Sequence, residues 1–166
     1  MFVSFQNPTT IEGLRNFQFI RQCLMSKGES ISVGKNLTKF RGVSNDLGLG
    51  NEWDKKQLNL EASGGEKKKN ELIQLEMLDP PVAILDAPDS GLDVDAIKVL
   101  VEKLNDFANK EGKVLIIISH YAELIKKLNP NTLTVLDRNG FAKQTDKIEI
   151  AYNILENGFE HGGSKT

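Results

Sequence analysis

The sequence predicts an α/β domain whose core is a parallel sheet. Two short apolar runs, Val82–Leu85 and Lys113–Ser119, are typical of strands that are buried on both faces. Each run is followed by a segment with apolar residues at helical spacing, and this alternation of strand and helix implies parallel pairing. In such sheets the chemistry gathers at the carboxyl ends of the strands. Asp86 and His120 stand at those two positions.

Two helices are predicted around the first of these strands. One runs from Ser63 to about Leu78, with Ser63 and Glu66 at capping-box spacing, and stops before Asp79-Pro80-Pro81. Its apolar face comprises Leu72, Ile73, Leu75 and Met77. The other helix follows the strand and carries an apolar stripe of Val94, Ile97, Val101, Leu104 and Phe107.

The rest of the chain has weaker patterns. Residues 1–10 indicate the end of a strand that runs into a loop at Asn7-Pro8. Residues 11–60 are predicted to form short helices, with Leu14, Phe17, Ile20, Arg21 and Leu24 at helical spacing in the first of them. Asn139-Gly140 predicts a hairpin between residues 132–136 and 141–143, and residues 147–156 predict a last helix.

Composition excludes several classes of function. Hydrophobic residues make up 39% and charged residues 27% of the 166 residues, which is an ordinary globular balance. A net charge of −2 gives no sign of a nucleic-acid partner, and no apolar stretch is long enough to cross a bilayer. The single cysteine, Cys23, rules out an internal disulfide and fits a reducing compartment, so we expect a cytoplasmic protein.

The segment Ser63-Gly64-Gly65-Glu66 is a candidate anion site. Two glycines at the start of a helix leave backbone N–H groups open, and the helix dipole adds positive potential there. The alternative is a simple capping box with permissive glycines.

Four further polar residues are ambiguous when each is taken alone. Asp86 ends an apolar strand and is placed either to hold Mg²⁺ or to cap the next turn. Asp93, in Ser90-Gly91-Leu92-Asp93, is at least a helix N-cap. His120 and Gln6 each follow a predicted strand and carry no signal by themselves.

The order of these elements resembles that of ABC ATPases. Gln6, Ser63–Glu66, Ile84–Asp86, Ser90–Asp93 and His120 are similar to the Q-loop, signature, Walker B, D-loop and switch-histidine elements, in that order. The resemblance implies a P-loop NTPase-type fold with a helical subdomain. It divides the chain into a helical subdomain at about residues 12–60, a core part at 61–146, and a C-terminal helix and tail at 147–166.

Within that family, the chain resembles the ATPase subunit of the SUF iron–sulfur cluster assembly system. The resemblance lies in Ser63–Glu71, in Ala83–Asp86, in Asp89–Asp93, in Phe5–Pro8 and in His120-Tyr121. It implies ATP and Mg²⁺ as cofactors, SUF scaffold subunits as partners, and a dimer that sandwiches ATP.

The same resemblance implies roles for individual residues. Asp86 and Gln6 would serve Mg²⁺ and the attacking water, and His120 would contact the γ-phosphate. The segment Ser63-Gly64-Gly65-Glu66, together with Asp93, would bind ATP, with Ser63, Gly64 and Gly65 reaching the partner's nucleotide across the dimer.

The first departure from the family pattern concerns the phosphate-binding loop. The sequence holds no G-x-x-x-x-G-K-[ST] run, because Gly34-Lys35-Asn36 lacks both the earlier glycine and the Ser or Thr. We therefore interpret the chain as an ABC ATPase domain that lacks the N-terminal Walker A portion. A missing core strand would expose an apolar edge, so we expect poor solubility and weak ATP binding.

The second departure is Ala87. It stands where the family has the glutamate that activates water, and an alanine cannot accept a proton. We expect slow ATP hydrolysis even in a completed domain. Two alternatives stay open, which are the nucleotide-binding subunit of an ABC transporter and a non-catalytic ABC-type partner protein.

Overall fold

A computed structural model of the chain describes residues 1–28, 32–136, 142–145 and 149. The chain forms two compact units, one of residues 1–118 and one that begins at Ser119. The first unit contains the strands β1 (Phe2–Ser4), β2 (Ile11–Arg15), β3 (Gln57–Leu58), β4 (Val82–Asp86) and β5 (Val114–Ile118), and the helices α1 (Asn16–Ser26), α2 (Val33–Asp46), α3 (Gly64–Leu78) and α4 (Val94–Ala108). The second unit contains helix α5 (Ala122–Leu128) and the strands β6 (Leu133–Leu136) and β7 (Ala142–Thr145).

The first unit is organised around a three-stranded parallel sheet in the order β1-β4-β5. Strand β4 lies in the centre, with Ser4 of β1 paired to Leu85 and Ile118 of β5 paired to Asp86. The parallel pairing predicted from the two apolar runs is therefore confirmed. Because all three strands run the same way, the residues after Ser4, Asp86 and Ile118 leave the sheet at the same edge.

One face of this sheet is buried under helix α3. Ser4, Ala83 and Leu85 lie on that face and are each at most 2% exposed. Glu71 of α3 accepts a hydrogen bond from the Ser4 hydroxyl at 2.6 Å, which shows that the helix lies directly on these strands.

The opposite face is only partly covered, and its exposure is greatest on β5. Val114, Ile116 and Ile118 are 50%, 47% and 56% exposed, whereas Val3 and Ile84, which lie on the same face, are half-buried. The expectation that residues 113–119 are buried on both faces is therefore wrong. The apolar run was a correct sign of a strand, but sequence pattern alone does not show whether a helix lies on each face.

Helix α4 packs as predicted only in part, because Leu104 and Phe107 are buried whereas Ile97 and Val101 are half-buried. Its buried residues are Ala96, Leu100, Leu104 and Phe107. Val94, which the predicted stripe included, is 72% exposed, because it is the first residue after the N-cap and projects into solvent. Both sets of residues fit a helical period, so only the neighbouring structure decides which of them faces the core.

Helix α3 forms as predicted. The Ser63 hydroxyl accepts a hydrogen bond from the Glu66 N–H at 3.2 Å, and the Glu66 carboxylate accepts one from the Ser63 N–H at 2.8 Å, which completes the capping box. The helix ends at Asp79, whose φ of 37° is left-handed, directly before the two prolines. The predicted apolar residues Leu72, Ile73, Leu75 and Met77 are all buried.

Residues 11–60 are helical only in part. Helices α1 and α2 are present, and Ile20 and Leu24 are buried in α1 as its apolar spacing predicted. However, Ile11–Arg15 forms a strand that pairs antiparallel with Gln57–Leu58, so Leu14 lies outside the helix. Pairing with a segment more than forty residues away outweighs a local helical spacing.

A buried polar network fastens this region to α3. The Trp53 indole N–H donates to Asn70 Oδ1 at 2.9 Å, and the Asn70 amide donates to Asn16 Oδ1 and Asn59 Oδ1, each at 2.9 Å. Asn59 in turn donates to the carbonyl of Thr9 at 2.8 Å. The four side chains of this network are each at most 3% exposed, and their buried polar atoms all have hydrogen-bond partners.

In the second unit, β6 and β7 pair antiparallel with Leu136 opposite Ala142, which confirms the predicted hairpin. The Asn139-Gly140 turn lies outside the described residues, as do the predicted helix at 147–156, apart from residue 149, and the tail that follows it. None of the helices in the described part of the chain is long and apolar enough to span a membrane.

The uneven burial of β5 leads to a prediction about Ile116 and Ile117. Ile116→Thr should change the free energy of unfolding by less than about 0.5 kcal/mol, because that side chain is half in solvent already. It should also reduce self-association and the binding of a hydrophobic dye, because it makes the exposed apolar face smaller. Ile117→Thr is the matched control on the better covered face, and it should lower the free energy of unfolding by about 1 kcal/mol or more. Urea denaturation measures the free energy of unfolding of both variants, and equal losses would show that the two faces of β5 are covered alike.

Candidate functional site

The start of helix α3 offers two backbone donors. The Glu66 N–H is bound by the Ser63 hydroxyl, and the Lys67 N–H begins the helical hydrogen bonds by donating to the Ser63 carbonyl at 3.0 Å. The N–H groups of Gly64 and Gly65 have no hydrogen-bond partner among the described residues; Gly64 is exposed, whereas Gly65 is half-buried against Gly91. The hydrogen bond from the Ser63 N–H lowers the pKa of Glu66, so its carboxylate is charged at neutral pH and remains part of the cap.

Helix α3 begins in direct backbone contact with the turn Ser90–Asp93. A Cβ atom on Gly65 would lie 2.6 Å from the Gly91 carbonyl oxygen, which is closer than real atoms approach. Gly91 has a φ of +75°, which an L side chain rarely adopts. Glycine is thus required at both positions, and the two segments form one continuous surface.

Asp86 and the turn after it are fixed to the ends of the sheet. Asp86 is half-buried at the end of β4, and the Ala87 N–H donates to the Ile118 carbonyl at 2.9 Å. The Ala87 carbonyl then accepts from the Ser90 N–H at 3.1 Å, which closes the turn. Ala87 has a φ of +46°, a left-handed conformation that costs about 1 kcal/mol for a residue with a Cβ atom.

Asp93 is the N-cap of helix α4. Its carboxylate accepts the Ala96 N–H at 2.8 Å, as the sequence predicted. The residue is otherwise exposed to solvent, and its second carboxylate oxygen is available to other groups. Capping and ligand binding are therefore compatible in this residue.

Gln6 lies in the bend that follows β1, and its side chain is exposed. The backbone of the preceding residue, Phe5, is held firmly: its N–H donates to Glu71 at 3.2 Å, and its carbonyl accepts from Lys68 at 2.6 Å. Helix α3 therefore controls where the chain leaves β1, one residue before Gln6.

Sequence reasoning missed Lys68 and Glu71. The run Lys67–Lys69 suggested a solvated helix face, but Lys68 is 3% and Glu71 is 7% exposed. The signal available in the sequence was a Lys and a Glu three residues apart, on the turn of helix directly after the capping box. That spacing is common on exposed helices, so it could not reveal the burial.

His120 follows β5 by two residues and begins the second unit with Ser119, whose hydroxyl accepts the Tyr121 N–H at 3.0 Å. Its side chain is exposed. That it acts together with Asp86 remains a prediction from the order of the motifs.

The described residues fit Mg²⁺ only as part of a metal–nucleotide complex. Among them, no three His, Cys, Asp or Glu side chains converge on one point. Mg²⁺ is commonly held by one or two carboxylates together with substrate phosphates, and Asp86 supplies one such carboxylate. Cys23 offers no thiolate, because burial raises the pKa of its thiol.

Comparison of the sequence with known proteins finds relatives along most of the chain. The chain is 34% identical over 165 residues to a probable ATP-dependent transporter, ycf16, of Cyanophora paradoxa, which covers 96% of the chain and 63% of the relative. It is 33% identical over 163 residues to vegetative protein 296 of Bacillus subtilis, which covers 96% of the chain and 62% of the relative. No family profile matches the chain.

Solved structures give the same result for the fold. An ATP-binding subunit of an ABC transporter superposes with a TM-score of 0.73 at 22% identity, covering 98% of the chain and 63% of that structure. A dimeric ATP-binding cassette with ADP and phosphate superposes with a TM-score of 0.71 at 14% identity, covering 86% of the chain and 61% of that structure. The chain thus spans less than two thirds of the length of these proteins. It is homologous to ABC-type ATP-binding proteins and has the α/β fold of their ATPase domain.

Proposed function

We propose that the chain is the ATP-binding component of an iron–sulfur cluster assembly complex of the SUF type. The observation that carries this proposal is the joined surface of the α3 start and the Ser90–Asp93 turn, beside the strand that ends in Asp86. Helix-start donors, an acidic turn and a strand-end carboxylate are the groups that bind a metal–nucleotide complex. The resemblance of Ser63–Glu71 to the SUF-system ATPase subunit supports iron–sulfur cluster assembly as the process that the chain serves.

In this proposal the nucleotide is held between two copies of an ABC-type domain. Asp86 and Gln6 bind Mg²⁺ and orient water, and His120 contacts the γ-phosphate. Ser63, Gly64 and Gly65, with Glu66 holding the cap, bind the nucleotide of the facing copy, and Asp93 lies at the same interface. The solved relative with ADP and phosphate is a dimer, which supports this assembly.

The proposal also assigns a role to each part of the chain. Residues 12–58, within the helical subdomain at about 12–60, dock the scaffold. Residues 61–146 carry the signature, Walker B, D-loop and switch-histidine part of the core, and residues 147–166 form the C-terminal helix and tail. We place the complex in the cytoplasm, because the sequence has one cysteine and no disulfide.

A transporter subunit is the second candidate function. It is favoured by the names of the relatives, which include a probable ATP-dependent transporter and probable ABC transporter ATP-binding proteins of Streptococcus pyogenes. A non-catalytic partner, which would contribute only its α3 start to another subunit's site, is favoured by Ala87, because an alanine cannot accept a proton.

The first experiment separates the iron–sulfur function from the transporter function. The purified chain, mixed with SUF scaffold subunits and Mg·ATP, should elute as a stable complex in size-exclusion chromatography. The cytoplasmic part of a transporter permease serves as the competing partner under the same conditions. Binding to the permease and not to the scaffold would contradict the iron–sulfur proposal. It would not bear on the proposal that the chain binds ATP.

The contact between Gly65 and Gly91 predicts the effect of an alanine on stability. Gly65→Ala should lower the free energy of unfolding by about 1–3 kcal/mol, because its Cβ would overlap a backbone carbonyl that cannot move cheaply. Gly64→Ala is the matched control, since nothing lies within 4 Å of its added Cβ, and it should stay within about 0.5 kcal/mol of the parent. Urea denaturation of both variants checks this, and similar values for the two would argue against the close contact.

Ala87 predicts a gain of ATP hydrolysis. In a chain extended by a phosphate-binding loop, Ala87→Glu should raise the turnover of ATP by roughly 100-fold, because it restores a proton acceptor beside Asp86. Ala87→Gln has the same size but accepts no proton, and it should leave turnover unchanged. Phosphate release measures both rates, and equal rates would show that position 87 does not limit hydrolysis.

A further inference from the structure

Lys68 is a buried cation whose ammonium group is fully used. Its Nζ donates to the carbonyl of Phe5 at 2.6 Å, to the carbonyl of Asp86 at 3.0 Å, and to Glu71 Oε2 at 3.4 Å. An ammonium has three N–H donors, so each of them has one partner. The side chain therefore connects two strands and its own helix.

Glu71 holds the other half of this cluster. Its Oε2 accepts from the Ser4 hydroxyl at 2.6 Å, and its Oε1 accepts from the Phe5 N–H at 3.2 Å. Burial raises the pKa of Glu71, while the hydrogen bonds from Ser4, Lys68 and Phe5 and the charge of Lys68 act in the opposite direction. The Glu71 carboxylate thus balances the charge of Lys68 and holds the end of β1 through the hydrogen bonds from Ser4 and Phe5.

The position of the ammonium relative to the sheet gives it a distinct role. The pairing of β1 with β4 ends at Ser4 opposite Leu85. Phe5 directly follows the end of β1 and Asp86 is the last residue of β4, and the Lys68 ammonium binds both of their carbonyl groups. The ammonium therefore continues the link between the strands beyond the last pair of the ladder.

We propose that Lys68, held in place by Glu71, is a positioning residue that fixes the backbone at Gln6 relative to the backbone at Asp86. Phe5 directly precedes Gln6, and the Asp86 carbonyl itself accepts a hydrogen bond from Lys68. The main chain at both candidate magnesium-binding residues is therefore held by one atom, the Nζ of Lys68. This inference rests on the proposed function, in which Gln6 and Asp86 bind the same metal–nucleotide complex.

Stability alone does not account for such a cluster. A buried ion pair is often no more stabilising than apolar residues of similar volume, because the charges lose their hydration. Precise placement of catalytic groups does require a supporting shell of locked side chains. The cluster also connects the site to the Ser63–Glu66 segment, because Lys68 lies in the first turns of the same helix.

The test removes the ammonium without leaving a buried charge. In the double variant Lys68→Met/Glu71→Gln, the glutamine amide can still accept from Ser4 or Phe5, so the contact of α3 with β1 can persist and the thermal midpoint should stay near that of the parent. Lys67→Met is the matched control from the same lysine run, where the side chain is half-exposed. Amide hydrogen exchange followed by NMR reports on Phe5 and Ala87, whose N–H groups donate to Glu71 and to the Ile118 carbonyl, separately from Ile84 in the middle of β4.

We expect exchange at Phe5 and Ala87 to rise together by roughly tenfold or more in the double variant, about the effect of losing one hydrogen bond to a charged group. Exchange at Ile84 should not change, and Lys67→Met should match the parent. A general rise along all three strands, or no rise at the two site positions, would overturn the positioning role. If the double variant does not fold, Glu71→Gln alone decides: a joint rise at both positions supports the proposal, and a rise at only one overturns it.

Binding of Mg·ATP, measured with the same variants in a chain extended by a phosphate-binding loop, separates this inference from the proposed function. If the parent binds Mg·ATP, the double variant should bind it at least tenfold more weakly, whereas Lys67→Met should bind it as the parent does. Unchanged affinity in the double variant would overturn the positioning role. An extended parent that binds no Mg·ATP would count against the proposed function, and the exchange measurements on the chain itself would still decide the geometry.

Discussion

The arrangement of the strand ends in the first unit depends on one buried charged pair in helix α3. Lys68 and Glu71 lie where α3 crosses the carboxyl ends of β1 and β4, and between them they bind both main-chain groups of Phe5 and the carbonyl of Asp86. Charges in such a place are costly unless every hydrogen-bonding position is filled. The pair therefore connects α3 to the ends of both strands, and the start of the same helix lies against the Ser90–Asp93 turn.

Helix α3 carries a second polar anchor. Asn70 accepts the Trp53 indole N–H and donates to Asn16 and Asn59, which joins α3 to the region that contains α1 and β3. Among the described residues, no buried side-chain nitrogen or oxygen lacks a hydrogen-bond partner. Networks that are fully satisfied specify a single arrangement of the elements they connect. One helix thus sets the positions of the sheet ends on one side and of the helical region on the other.

The sheet itself is apolar on both faces but covered mainly on one. Val114, Ile116 and Ile118 of β5 remain about half exposed, whereas Ala83 and Leu85 on the other face are buried. Parallel sheets are rarely found with an open face, since their strands carry apolar residues on both sides. The expectation of poor solubility was based on an exposed strand edge and stays a prediction; the exposed apolar face of β5 would act in the same direction.

The sequence by itself determined the parallel strands, the capped start of α3, the glycines of its first turn and the order of motifs that resembles ABC ATPases. These features depend on residues close together in the chain, so local spacing was enough to find them. The tertiary structure alone decided that Ile11–Arg15 is a strand, that Val94 faces solvent, and that Gly65 lies against Gly91. It also decided which of three consecutive lysines is buried, because that depends on the carbonyl groups of Phe5 and Asp86, which lie 63 and 18 residues away in the chain and meet Lys68 only in the fold.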